Sequence, residues 1–200
     1  MQALEMVEHI RNAFTDHVWE LPWMDDKTKR TAVEKAHAMR TFIGYPDWLI
    51  ITAELEQYYR QASPRGNVFS HHVVCWWVMP ASTVNAFYSP LMNSMTFPAG
   101  ILQPPFYNLG LISLNYGAIG SIMGHELTHG FDDQGRRFDK HGNMRQWWTG
   151  NTLQEYKNRV RCFVEQYSRY KIPELGDKLF VSIHFLHIHI QYRNVGTNAC

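Results

Sequence analysis

The sequence predicts a mostly α fold with a small β portion, an α+β domain, on three observations. Apolar residues recur at helical spacing in several segments, as Leu4, Val7, Ile10 and Phe14 do near the start. Residues that start and stop helices bracket those segments. Strand-like composition is confined to short runs, residues 73–79, 84–88 and 95–97, the last two flanking a turn.

Taken in order, a first helix covers residues 3–14, and a second begins near Asp25 and Asp26, whose carboxylates suit the positive end of a helix. Gly44 and Pro46 stop that second helix. Residues 53–59 form a short helix, and 62–67 a loop broken by Pro64 and Gly66. Val73 to Met79, β-branched and aromatic, reads as a strand. Val84–Tyr88 and Met95–Phe97 follow as two strands around Ser89–Asn93, the second ended by Pro98 and Gly100. Tyr116–Gly130 carries Ile119, Ile122, Met123 and Leu127 on a helical repeat. Its Gly117, Gly120 and Gly124 each weaken helix propensity by about 1 kcal/mol relative to Ala, which implies close packing against a neighbour. Thr152-Leu-Gln-Glu155 is a capping-box pattern, announcing a last helix that runs through Tyr156, Val160, Val164 and Tyr167 to Pro173. From Leu179 the charges of that helix vanish and an apolar, histidine-rich tail begins. There is no internal repeat.

With 200 residues, 45% hydrophobic and 18% charged, the chain suits one globular domain with a sizeable core. A formal charge of +1 gives no reason to expect nucleic acid or an anionic membrane as partner. No run approaches the roughly 18 apolar residues of a membrane span, and residue 1 opens into an amphipathic pattern unlike a signal peptide. Cys75, Cys162 and Cys200 are too few and scattered for a disulfide framework or a cysteine zinc site, and read as well as buried free thiols. No Asn-x-Ser/Thr acceptor is present.

Chemistry concentrates in His125-Glu126-Leu127-Thr128-His129. At i and i+4 the two imidazoles leave one helical face about a turn apart, close enough to share one zinc ion, with Glu126 beside them as candidate general base. Zinc polarises a peptide carbonyl and lowers the pKa of bound water toward about 7. Glu126 would take that water's proton and pass it to the leaving amine. The bland alternative is a charged turn of an amphipathic helix. Random order of this composition gives the pattern in about 3% of chains, and the apolar, glycine-rich setting fits a buried metal helix better than a solvated one.

The residues around the motif resemble the neprilysin and endothelin-converting-enzyme family of zinc metallopeptidases, the M13 type. The likeness runs from Val84-Asn-Ala-Phe-Tyr88 through Phe97–Phe106 and Leu114–Gly120 to Gly124–Asp133. Gly142-Asn143, Trp147-Trp148, Ile43–Asp47 and Cys162–Tyr167 extend it over most of the chain to about Lys178. The resemblance implies a thermolysin-like zincin core, an endopeptidase cutting small to medium peptides on the amino side of apolar residues. It also implies an extracellular or secreted setting, in a family usually anchored in the membrane. It assigns Asn85 and Ala86 to holding the substrate backbone, which agrees with a strand edge offering main-chain hydrogen bonds. Alone, Asn85 reads as a polar residue at a strand start.

The chain also departs from that pattern. A catalytic zinc has three protein ligands and an open position, and the family's third, the Glu of a Glu-Asn-x-x-Asp motif, is not found. Glu155 and Glu165 fall on a surface helix, and Glu174 lacks the expected flanks. Where that motif should approach, His184, His187 and His189 stand instead, and imidazole could substitute. The third ligand is therefore left unknown. The family's later His and Arg are absent too, and Cys162 matches a cysteine whose partner lies near the family's far C-terminus, so it is expected unpaired. The organisation expected is a partial, incomplete catalytic region at 1–178 and a divergent tail at 179–200, such as a retained intron would produce. The chain then reads as an impaired piece of a zinc metalloendopeptidase, or alternatively as a non-catalytic zinc- or peptide-binding fragment.

Overall fold

In the computed structural model of the chain, residues 3–61, 77 and 79–169 are described. The first helix, α1 (Ala3–Glu20), buries Ala3, Met6, Val7, Arg11, Thr15 and Val18, the three- and four-residue spacing of one helical face. It packs on α2 (Asp26–Ala38) and carries Phe14 to the Phe131 ring, 4.8 Å between centroids. Arg11, on the buried face, donates to the carbonyl of Met39 at 2.9 Å and to Thr41 Oγ1 at 3.0 Å. That ties α1 to the point where α2 ends.

The second helix stops earlier than Gly44. Met39 is extended, and residues 40–44 form β1 (Arg40–Gly44), which the sequence reading had placed in the helix. The cause is tertiary: Arg40 N–H donates to the Asn93 carbonyl at 2.9 Å, and β1 then runs parallel to β3 (Ser94–Pro98) from the Arg40–Ser94 pair onward. Pairing with β3 draws Thr41-Phe42-Ile43, all residues that fit a pleated surface, into a strand. A three-residue strand, β2 (Phe87–Ser89), lies antiparallel on the other side of β3, giving the order β1-β3-β2. The strand pair expected around Ser89–Asn93 is thus present, though β2 is shorter than 84–88.

Central in the sheet, β3 is buried throughout, with Met95 and Phe97 fully so. Each such side chain contributes about 1.5–3 kcal/mol relative to an exposed one. Helix α3 (Thr52–Gln61) matches the short helix read at 53–59. The strand read at 73–79 and the loop at 62–67 fall essentially outside the described residues.

A single helical path then runs from α4 (Ile112–Asn115) through a π-helical turn (Tyr116–Gly120) into α5 (Ser121–His129). The Ile119 N–H donates outside the helix, to the Phe106 carbonyl at 3.0 Å, which removes it from the regular ladder and accounts for the wider turn. The close packing expected at the glycines is absent at Gly117, where a Cβ would meet nothing within 4 Å beyond the helix's own backbone, and at Gly120 the nearest atoms belong to Tyr116 and Asn115 of its own segment.

The last helix, α6 (Gly150–Tyr167), is capped three residues before the expected cap, Thr152. Its cap is Thr149, whose Oγ1 accepts from the Thr152 N–H at 3.3 Å, while Thr152 itself is buried. The Thr152 hydroxyl, with that of Thr149, donates to Asp25 Oδ2. Asp25 meanwhile caps α2 through the Thr28 N–H at 3.0 Å and accepts the Thr28 hydroxyl at 3.1 Å. One carboxylate so fastens two helix N-termini that are far apart in sequence. Cys162, expected unpaired, is disulfide-bonded, its partner lying outside the described residues. The expectation failed because a family pairing was carried over, whereas a disulfide needs only two sulfurs brought together. The tail from Leu179 also lies outside the described residues.

Burial alone would raise the Asp25 carboxyl, but the hydrogen bonds from Thr149, Thr152 and Thr28 outweigh it and hold it well below its ordinary value of 3.8. A depressed acid stabilises the fold above its unfolded pKa and loses that contribution as pH falls. We therefore expect Asp25→Ala to lower stability by about 0.5–2 kcal/mol or more at pH 7, as loss of a helix cap does. The gap to Asp25→Asn should narrow steadily as pH is lowered below 3.8. Denaturant unfolding across that range measures both.

Candidate metal centre

Helix α5 presents His125 and His129 one turn apart, and their Nε2 atoms face each other at 2.9 Å. The rings stand edge-on, with centroids 4.5 Å apart and planes at 89°. Both imidazoles are half-buried, while Glu126 between them is only 5% exposed. The structure therefore brings together the three motif residues the sequence singled out.

A residue the sequence reading did not assign completes the arrangement. Asp132 Oδ2 lies 2.7 Å from His129 Nδ1. Its other oxygen accepts the N–H groups of Gln134 at 2.9 Å and Gly135 at 2.7 Å, so the carboxylate is fixed from behind. Because a carboxylate only accepts, it selects the Nδ1–H tautomer of neutral His129 and directs the Nε2 lone pair toward His125. This is the carboxylate–histidine pairing that orients metal ligands. The sequence held one signal of it: an Asp three residues after the second His, one turn further along the same path.

Electrostatics separate the two rings. The Asp132 hydrogen bond raises the His129 pKa against the pull of burial. Burial and the neighbouring His129 lower that of His125. Burial pushes the Glu126 carboxyl up to about 7, opposed by His129 and by a hydrogen bond from the Tyr88 backbone N–H. That bond also reports position: β2 lies against α5. Asn85 is exposed and Ala86 buried just before β2, and Asn85 Oδ1 accepts the Ala86 N–H at 2.9 Å.

The turn after α5 is held from α2. Lys35, fully buried, donates to the carbonyls of Gly130 at 2.6 Å, Gly135 at 2.8 Å and Phe138 at 2.6 Å. Its ammonium lies 5.5 Å from the Phe131 ring centroid and 5.7 Å from that of Trp147. Burial draws the Lys35 pKa down to about 8, countered by Asp132 and Asp139.

Two converging imidazole nitrogens, one backed by a carboxylate, fit part of a zinc donor set. Zinc–nitrogen bonds of about 2.0–2.1 Å at a tetrahedral angle put the two donors about 3.3 Å apart, so the pair need open by only a few tenths of an ångström. Among the described residues no group of three His, Cys, Asp or Glu side chains is arranged to hold a metal. Glu155 and Glu165 lie on α6, Glu165 exposed. Glu174, His184, His187 and His189 lie outside the described residues.

Comparison with known proteins places these features in a wider set. The sequence profile of peptidase family M13 matches residues 85–186, somewhat past the boundary read at 178, and a second profile of the same family matches residues 1–46. Neprilysin-11 of Caenorhabditis elegans is 43% identical over 86% of this chain and 23% of its own length. Endothelin-converting enzyme 1 of Homo sapiens is 38% identical over 85% of this chain and 25% of its own. Among solved structures, the zinc metalloprotease ZMP1 of Mycobacterium tuberculosis, in complex with an inhibitor, superposes with a TM-score of 0.74 at 32% identity. That match covers 93% of this chain and 31% of the other. The chain spans about a quarter of the length of the relatives it matches.

Gly135 is the joint of the site's turn, since a Cβ there would lie 1.8 Å from the His129 carbonyl oxygen. We expect Gly135→Ala to cost at least about 1–3 kcal/mol, as overpacking does, and to shift the His129 ring resonances. Thermal unfolding with histidine-labelled NMR checks this, and an unchanged midpoint and spectrum would contradict it.

Proposed function

The chain belongs to peptidase family M13, and on that premise we propose that it carries the metal-binding and proton-transfer part of a zinc metalloendopeptidase site. One observation carries the reading: two imidazole nitrogens converge at 2.9 Å, His129 is backed by Asp132, and a buried carboxylate lies between the two ligands in sequence. His125 and His129 would hold one zinc ion. Zinc, when bound, supplies Lewis acidity toward a peptide carbonyl.

The chain's own residues supply the rest. Glu126, its pKa raised to about 7 by burial, can take and return a proton near neutrality, as a general base that later serves the leaving amine must. The Tyr88 N–H keeps that carboxylate aimed. Asn85 and Ala86 would bind the substrate main chain by strand addition at the outer edge of β2. Because Tyr88 has already given its N–H to Glu126, pairing with a peptide starts on the Asn85–Ala86 side. The Ala86 N–H must first leave Asn85 Oδ1. Substrates on this reading are small to medium peptides, cut on the amino side of an apolar residue.

The partition into a catalytic region at 1–178 and a divergent tail at 179–200 belongs to the same proposal. An extracellular-facing or secreted setting is supported by the disulfide at Cys162, since such bonds persist in oxidising compartments. No helix among the described residues is long and apolar enough to cross a membrane. The two-imidazole donor set favours a second reading as well, a chain that binds zinc or peptide without turning substrate over.

Metal analysis of the purified chain separates these outcomes. One zinc ion is expected, lost in the His125→Ala, His129→Ala double variant; stoichiometric zinc in that variant would refute the assignment. With two imidazoles and no carboxylate ligand among the described residues, binding should be at least about 10–100-fold weaker than in a complete site. Hydrolysis of a short apolar peptide by the 200-residue chain should be negligible. Chelator-sensitive hydrolysis abolished by Glu126→Gln would instead show a complete site and direct attention to His184, His187 or His189.

A further inference from the structure

Lys35 is the one lysine among the described residues with no solvent exposure, and the catalytic reading leaves it without a role. All three of its N–H bonds are used, on carbonyls of Gly130, Gly135 and Phe138. Those acceptors belong to one nine-residue stretch that begins directly after His129. Gly130 is the residue that ends α5, so the ammonium also sits at the negative pole of the metal helix.

Gly135 is where this clamp meets the histidine. Its carbonyl accepts from Lys35, and its N–H donates to Asp132 Oδ1. Asp132 Oδ2 then faces His129 Nδ1 at 2.7 Å. The connection from α2 to the ring therefore passes through the two backbone hydrogen bonds of one residue, Gly135, and one carboxylate. Phe138 is braced a second time, its carbonyl also accepting from Trp147 Nε1 at 3.0 Å. Asn93 pins the far side, donating to the Lys35 carbonyl at 3.2 Å and to the Lys140 carbonyl at 3.2 Å.

We propose that Lys35 is a positioning residue for the metal-binding pair, holding the Gly130–Phe138 turn so that Asp132 keeps His129 in the Nδ1–H form with Nε2 free. The proposal rests on the zinc reading above for its purpose, but its geometry is that of the chain's own residues. A lysine that merely filled space could be exchanged for an apolar side chain of similar length with no effect on the ring, as buried charges often can. A positioning lysine could not. Methionine keeps the length and removes all three donors, so the Gly130, Gly135 and Phe138 carbonyls each lose a partner and the turn is free to shift.

The test uses the 200-residue chain with 15N-labelled histidine, as wild type, Lys35→Met and Lys35→Gln. Two-bond proton–nitrogen NMR of the metal-free proteins reports which ring nitrogen of His129 carries the proton, the signal being assigned by its loss in His129→Gln. Cobalt titration gives metal affinity, and circular dichroism gives the folded fraction. At a pH high enough for a neutral ring, wild type should show one tautomer, Nδ1–H. Folded Lys35→Met should show tautomer averaging and cobalt binding about 10–100-fold weaker, the loss typical of an outer partner. Lys35→Gln, with two N–H bonds for three carbonyls, should fall between. The proposal is overturned if folded Lys35→Met keeps the wild-type tautomer and binds cobalt within about twofold. It is equally overturned if both variants unfold, because Lys35 would then be a requirement of the fold. If wild type binds no cobalt or zinc, the zinc reading fails, and the tautomer measurement still decides the role of Lys35.

Discussion

The ammonium of Lys35, set inside the protein against three backbone carbonyls, is the constraint on which the architecture around the metal helix turns. Burying a charge is costly unless it is hydrogen-bonded and compensated. Here compensation comes from carbonyls 95 to 103 residues away in sequence, from two aromatic rings, and from Asp132 and Asp139 nearby. The early helices and the turn after α5 can satisfy that charge only together. Arg11 does the same on a smaller scale where α2 passes into β1, and Asp25 where α2 meets α6. Three buried or half-buried charged groups thus fasten the N-terminal helix pair to β1, to α6 and to the turn after α5.

The candidate site is fixed by the same kind of hydrogen bond. Helix α5 sets the spacing of the two imidazoles, the Asp132 carboxylate sets the tautomer of one, and Gly135 lets the turn close to where any side chain would collide with the His129 carbonyl. The edge strand enters the same network through the Tyr88 N–H on Glu126. The imidazole pair, the Glu126 carboxylate and the edge strand are therefore coupled through hydrogen bonds a few residues apart. A site on rigid elements with a fixed outer layer holds its groups in place better than one on loops.

Much of this was legible in the sequence, for reasons that differ by residue. His125, Glu126 and His129 were legible because helical periodicity alone brings i and i+4 to one face. β2 and β3 were legible from composition around a turn. β1 was not, because residues 40–44 follow a helix without a break and their strand conformation depends on β3, more than 50 residues on. The start of α6 was misread because Thr149 and Thr152 are both plausible caps, and only the Asp25 carboxylate decides how their hydroxyls are used. Lys35 was illegible: within Asp26–Ala38 it is one of several lysines, and nothing local marks it as the buried one. Asp132 had a spacing cue, but its role becomes visible only once the turn is seen to fold back on the ring.

Zinc K-edge X-ray absorption on the zinc-loaded chain tests the central claim most directly, namely that α5 offers two preorganised imidazole ligands. Scattering from two imidazole nitrogens at about 2.0–2.1 Å is expected, with the imidazole signal reduced in His125→Ala and in His129→Ala alike. A zinc environment without imidazole scattering, or one unchanged when either histidine is removed, would contradict it.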